Sequence, residues 1–220
     1  MEVYIASLGV LGGIYLKLYQ DLVRPFGNRH KGTVKSIEWL AGYVRSTPGF
    51  SLEGVFNPGP NTLVCVCDSN HHGDIGFTSR SQSGVIILLN GVPIHWRSNR
   101  QPRTTLSPVE SEVYALSVGV KDARLMGWVL EDCGIKVDWP LTVHTDSLGA
   151  ESFKRDTCPY SKLRGCFSYR WDWVEELRLA GDVKTAHVSD LDNLVDIFTK
   201  CLPTKDFGRR VDQIRGMSGA

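Results

Sequence analysis

The chain has 220 residues, with 25 Lys and Arg against 24 Asp and Glu, a net charge of +1, 42% hydrophobic residues and 10% aromatics. This composition supports a core and excludes global disorder, and the near-zero charge excludes a strongly basic wrapper of nucleic acid while leaving room for a local basic patch. Six cysteines at 65, 67, 133, 158, 166 and 201 form no CxxC pair and read as free thiols of a reducing compartment. Without a secretory leader pattern or a long apolar run, the expected location is intracellular, in cytoplasm or nucleus, with no membrane partner.

Residues 1–60 read as a small helical extension. An apolar run from Ile5 to Tyr19 is broken by glycines, a turn-like stretch covers Arg24 to Gly32, and Val34, Ile37, Leu40, Ala41 and Val44 repeat at helical spacing. Ser46 to Gly49 ends that helix, and Asn57 to Asn61 (NPGPN) is a linker candidate. From residue 61 to 210 the pattern is a compact α/β unit, followed by a tail at 211–220. Leu63 to Cys67 is a short apolar strand ending on Asp68. Gly84 to Leu89 and Val92 to Trp96 flank Asn90-Gly91, a strong hairpin signal. An amphipathic helix is expected from Val109 to Glu131, carrying Val113, Leu116, Val120, Ala123 and Leu130. Leu141 to Thr145 is a strand ending on Asp146, and a helix covers Leu163 to Leu179, with one of Trp171 and Trp173 expected in the core. Val183 to His187 is the last strand, and a helix from Asp190 to Lys200 is stopped by Cys201-Leu202-Pro203. The order suggests a mixed five-stranded sheet flanked by helices.

Four carboxylates stand out. Asp68 and Asp146 each follow an apolar strand, where open α/β sheets place their sites. Glu112 lies in the first turn of the long helix and Asp196 in the last one. Singly, each also reads as a turn residue, a helix-end charge or solvated surface. Brought to one sheet edge they would repel unless cations lay between them, and hard oxygen donors suit Mg²⁺ or Mn²⁺. Two such ions would activate a water and stabilise the leaving oxygen of a phosphodiester.

Asp68, Glu112, Asp146 and Asp196 in this order resemble the D-E-D-D tetrad of the ribonuclease H family. Further strings resemble the ribonuclease H domain of copia-type LTR-retrotransposon polyproteins: Ser79 to Gly84 (SRSQSG), Gly91 to Gln101 (GVPIHWRSNRQ), Leu106 to Leu116 (LSPVESEVYAL), His144 to Ser147 (HTDS) and Leu194 to Pro203 (LVDIFTKCLP). The resemblance covers about 62–210, and 33–56 more loosely resemble the end of a reverse transcriptase. The chain departs from the pattern at Asp68 to Gly73, where a tryptophan is absent, and at Ser161 to Trp173, where basic, histidine and acidic positions have become Gly165, Cys166 and Ser168.

The resemblance implies an RNase H-like α/β fold and a metal-dependent endonuclease hydrolysing the RNA strand of RNA–DNA hybrids. Two Mg²⁺ ions, replaceable by Mn²⁺, would be held by Asp68, Glu112, Asp146 and Asp196. The alternative is a catalytically silent, domesticated protein acting as an RNA-binding or scaffolding subunit. Partners would be an RNA–DNA hybrid or structured RNA, and a reverse transcriptase or larger ribonucleoprotein. His187 either assists proton transfer or is a strand-end residue without a role. His71 and His72 read as loop histidines, and His144 as packed. Arg80, Arg97, Arg100 and Arg103 either bind backbone phosphates or form a solvated loop, while Asn70 and Ser147 are candidates for contact with 2′-hydroxyls.

Overall fold

A computed structural model describes residues 61–71, 79–146, 164–200 and 202–215, with Gly42, Arg45 and Ser46, the side chains of 164–168 excepted. Gly42, Arg45 and Ser46 are helical, so the helix is not yet ended at Ser46; the rest of the 33–49 stretch lies outside the described residues. The apolar run at 5–19, the turn at 24–32, most of the linker, His72, Ser147, Cys158 and Cys201, and the side chain of Cys166 lie outside what is described.

Five strands, β1 (Leu63–Asn70), β2 (Gln82–Leu89), β3 (Val92–Arg100), β4 (Leu141–Thr145) and β5 (Val183–His187), form one sheet in the order β3-β2-β1-β4-β5. β1 to β3 are antiparallel neighbours, whereas β4 runs parallel to β1 and β5 parallel to β4. Past residue 61, the helices among the described residues are α1 (Pro108–Asp132), α2 (Arg164–Leu179), α3 (Asp196–Thr199) and α4 (Thr204–Ile214). Three antiparallel strands followed by two crossover strands give the expected RNase H-like fold, an α/β sheet flanked by helices. Among the described residues, no helix is long and apolar enough to cross a membrane.

The hairpin forms because Asn90 and Gly91 both accept positive φ, 52° and 85°, as a tight two-residue turn demands. The Asn90 amide also donates to Thr62 O at 2.9 Å, and its side-chain oxygen accepts from Thr62 N at 2.9 Å, tying the turn to the start of β1.

β1 reads as a continuous apolar run because it is buried on both faces. Cys65 and Cys67 face a cluster with Val85, Ile87, Val113, Leu116, Val120, Val143 and Trp171, under α1 and α2. Gly119 lets α1 settle on this face, since a Cβ there would lie 3.0 Å from Cys67 Cβ. Val66 faces a second cluster with Ile86, Val195, Ile197, Phe198, Val211 and Ile214, under α3 and α4.

Four details differ from the sequence reading. β1 continues to Asn70, because β2 keeps pairing with it to Gln82, so Asp68 sits inside a strand. α1 begins at Pro108, behind an N-cap at Ser107 whose hydroxyl accepts from Glu110 N at 3.1 Å; Glu112 is therefore in the second turn and Glu110 in the first. The segment from Asp190 is helical only over Asp196–Thr199, and a further helix, α4, follows Pro203 and passes residue 210. Trp171 is buried, and Trp173 also packs against the same cluster from the flank of α2, its indole being broad enough to reach back.

Candidate active site

Three elements end at one edge of the sheet. β1 and β4 are parallel, with Cys67 opposite Thr145, so Asp68 and Asp146 leave this register side by side. β3 runs parallel to β1 through the intervening β2, which brings the start of α1 to the same end. Gln101, fully buried, fixes that junction: its Nε2 donates to Ser83 Oγ at 2.8 Å and to Ser111 O at 3.0 Å. Glu112 follows Ser111. Ser69 Oγ donates to Glu112 Oε1 at 2.8 Å and lies 2.9 Å from Ser111 Oγ.

The result is a cluster of Asp68, Glu112 and Asp146 whose ligand oxygens all lie within 4.8 Å of one another. Burial, then the nearby Asp68 charge, pushes the Glu112 carboxyl up to about 8. Burial, then the Asp146 charge, pushes Asp68 up to about 7, against the opposing pull of Lys200 and the Thr199 hydroxyl. Glu112 Oε2 is buried and has no hydrogen-bond partner among the described residues. An unsatisfied buried carboxylate oxygen beside two further carboxylates is a donor set that fits a hard divalent cation.

Asp196, the fourth expected ligand, stands outside this cluster. Its Oδ2 accepts from Arg210 Nη2 at 2.6 Å, and its Oδ1 accepts from Lys200 Nζ at 2.8 Å and Asn193 Nδ2 at 3.3 Å. Asn193 Nδ2 also reaches Asp146 Oδ2 at 3.2 Å, and Lys200 Nζ lies 3.6 Å from Asp68 Oδ2. Thr199 Oγ1 donates to Asp68 Oδ2. The carboxylates Asp68 and Asp196 hold Lys200 protonated, above its ordinary range, although burial pulls the other way. The backbone allows this approach because Gly84, opposite Asp68 on β2, leaves room for α3; a Cβ there would collide with Val195 Cγ1 and lie 2.9 Å from Thr199 Cγ2.

The remaining expected residues are dispersed. His187 is exposed at the end of β5, in register with Thr145 and thus one residue from the level of Asp146. Asn70 Nδ2 donates to Thr199 O at 3.2 Å, which ties β1 to α3. Arg97 is paired with Asp122 of α1 at 3.0 Å, on the face opposite Asp68, because Arg97 and Asp68 occupy alternate positions of the sheet register. Arg80 donates to Pro102 O at 3.4 Å, and Arg100 closes β3 opposite Gln82. His71 Nδ1 lies 3.4 Å from Ser81 Oγ and 3.3 Å from Thr105 Oγ1, within the loops. His144 is half-buried in β4.

Asn193, Thr199, Lys200 and Arg210 were given no site role from the sequence. Arg210 lies on a helix that the polar composition of 204–214 concealed; the spacing of Phe207, Val211 and Ile214 was the available signal.

No family model matches the chain. It is 24% identical over 173 residues to the retrovirus-related Pol polyprotein from transposon TNT 1-94 of Nicotiana tabacum, covering 79% of this chain and 13% of that protein. It is 24% identical over 207 residues to the Pol polyprotein from transposon RE1 of Arabidopsis thaliana, covering 90% of this chain and 14% of that protein. The chain is similar, over most of its length, to a part of these retrotransposon Pol polyproteins, and its sheet has an RNase H-like topology. It thus spans 13% to 14% of the length of these relatives. A shorter match, 37% identical over 89 residues, joins 40% of this RNase H-like chain to 61% of secreted RxLR effector protein 161 of Plasmopara viticola. Similar solved structures include LC11-RNase H1 in complex with RNA/DNA hybrid, at TM-score 0.43 and 16% identity over 60% of this chain and 88% of that one. The N-terminal RNase H domain of rv2228c from Mycobacterium tuberculosis has TM-score 0.43 and 14% identity, over 72% and 99%.

Proposed function

We propose that the chain is a divalent-metal-dependent endonuclease of the ribonuclease H type, cutting the RNA strand of RNA–DNA hybrids. The observation that carries this reading is the Asp68–Glu112–Asp146 cluster, three carboxylates converging within 4.8 Å at the ends of a sheet of RNase H-like topology.

These three residues would hold Mg²⁺, or Mn²⁺ in its place; the hard oxygen set and the unpartnered Glu112 Oε2 fit such an ion. A divalent ion bound there supplies Lewis-acid stabilisation of charge on a phosphodiester and lowers the pKa of water. The chain's own residues set the geometry. Ser69 orients Glu112 through Oε1. Thr199 fixes one Asp68 oxygen, and Asn193 spans Asp146 and Asp196. No nucleophilic side chain is required, since the attacking group is water, which leaves a 5′-phosphate and a 3′-hydroxyl. The substrate is a proposal that follows the fold and the relatives' retrotransposon origin, and a hybrid is recognised by shape and 2′-hydroxyls.

The test is a substrate panel: an RNA–DNA hybrid labelled on either strand, duplex DNA and duplex RNA, each with the full chain and Mg²⁺. The reading expects cleavage of the RNA strand of the hybrid alone, with 5′-phosphate ends. Absence of metal-dependent cleavage by folded protein would favour the silent, RNA-binding or scaffolding alternative.

A further inference from the structure

We propose that the Lys200 ammonium is a built-in cation on the Asp68–Asp196 side of the site, so that the site takes one divalent ion rather than two. This rests on the reading that Asp68, Glu112 and Asp146 hold a divalent ion, and concerns how many ions accompany it.

Lys200 Nζ lies 2.8 Å from Asp196 Oδ1 and 3.6 Å from Asp68 Oδ2, between the two carboxylates that would be available to a second ion. The other Asp196 oxygen is taken by Arg210 at 2.6 Å, a guanidinium that is itself 3% exposed and also donates to Leu191 O and Asp190 O. Asn193 Nδ2 occupies further acceptor capacity on both Asp146 and Asp196. Asp196 thus enters the site already satisfied by protein donors, whereas Glu112 Oε2 has none. The charges agree with the geometry. Asp68, Glu112, Asp146 and Asp196 oppose Lys200 and Arg210, and the two negative charges left are those one divalent ion neutralises. The arrangement is set by the backbone, because Lys200 follows α3 one turn after Asp196, and Gly84 lets α3 lie against β1.

Lys200 is a positioning residue in this account, and ion stoichiometry is a readout that a merely structural role would not move. The full chain is titrated with Mn²⁺, and free ion is counted by electron paramagnetic resonance for wild type, Lys200→Met and Lys200→Arg. Lys200→Met keeps the apolar stem and leaves Arg210 on Asp196, so the pocket is not stripped of its counter-charge, and circular dichroism checks that each variant is folded. The expected result is one ion for wild type, one for Lys200→Arg and two for Lys200→Met. Two ions on wild type would overturn the role of Lys200 while leaving the metal-site reading intact. One ion on folded Lys200→Met would overturn it as well. No ion on wild type would overturn both readings, a result distinct from either of these.

Discussion

At the scale of single residues, the site combines unsatisfied negative charge with side chains that hold it in place. Ser69 is the clearest holder, since its hydroxyl fixes Glu112 Oε1 at 2.8 Å and leaves Oε2 for the proposed ion. Partners of metal ligands typically tune affinity by 10–100-fold, so Ser69→Ala is expected to raise the Mg²⁺ concentration for half-maximal cleavage by about 10-fold. An unchanged requirement would show that Ser69 serves packing only. The titration of the carboxylates gives a second expectation. Glu112 titrates at about 8 in the fold against an ordinary 4.5, and Asp68 at about 7 against 3.8. Both therefore bind protons more tightly folded than unfolded, so the stability they contribute is complete below their unfolded values and is lost as pH rises through 7 and 8. Metal-free wild type should lose stability relative to Glu112→Gln between about pH 5 and 9. Mg²⁺ should restore wild type at the alkaline end and leave the variant largely unmoved. Urea unfolding across that range, with and without the ion, checks this; parallel profiles for the two proteins would contradict it.

At the scale of elements, the short helix α3 matters beyond its length. It carries Asp196 and Thr199, leads directly into Lys200, and is docked by Phe198, whose carbonyl accepts from Ser98 Oγ at 2.7 Å. Gly84 makes that docking possible. Gly84→Val would force atoms into Val195 and Thr199, both of them packed, and overpacking of this kind costs about 1–3 kcal/mol. The expected outcome is a lower melting temperature together with a larger loss of cleavage, because the displaced α3 carries the groups that fix Asp68. Gly42→Ala, where a Cβ meets nothing within 4 Å among the described residues, is the control substitution, expected to lower neither. The helix α4 supplies Arg210. Removing one partner of a buried ion pair leaves an uncompensated charge, so Arg210→Met is expected to destabilise by about 3 kcal/mol in chemical denaturation. A change below about 1 kcal/mol would mean that Lys200 alone satisfies Asp196.

At the scale of the whole molecule, the fold was legible where local pattern and topology agree. The Asn90-Gly91 turn, the period-2 and continuous apolar strands and the long stripe of α1 each point to one structure. The strand endings carrying Asp68 and Asp146, and Glu112 near the start of α1, were legible for the same reason: the chain order that builds the sheet also brings three carboxylates to one end. What was not legible is the fate of Asp196. Its partners Arg210 and Lys200 act through the docking of α3 and α4 on the far face of the sheet, and no local pattern around 196 reports how two short helices pack. The partner of Arg97 was not legible either, since a run of arginines does not reveal that one faces Asp122 across the sheet. Tertiary partners of charged side chains are decided by long-range packing, and a single sequence carries little of that.

The most direct test of the account compares wild type with Asp146→Asn in cleavage of a labelled RNA–DNA hybrid with Mg²⁺. Asp146 contributes a carboxylate to the cluster, and the amide keeps its shape while removing the charge that would hold the proposed ion. The account predicts metal-dependent cutting of the RNA strand by wild type and a loss of about 100-fold or more in the variant, with the fold intact by circular dichroism. Cutting at the wild-type rate by Asp146→Asn, or none by wild type under Mg²⁺ or Mn²⁺, would contradict it.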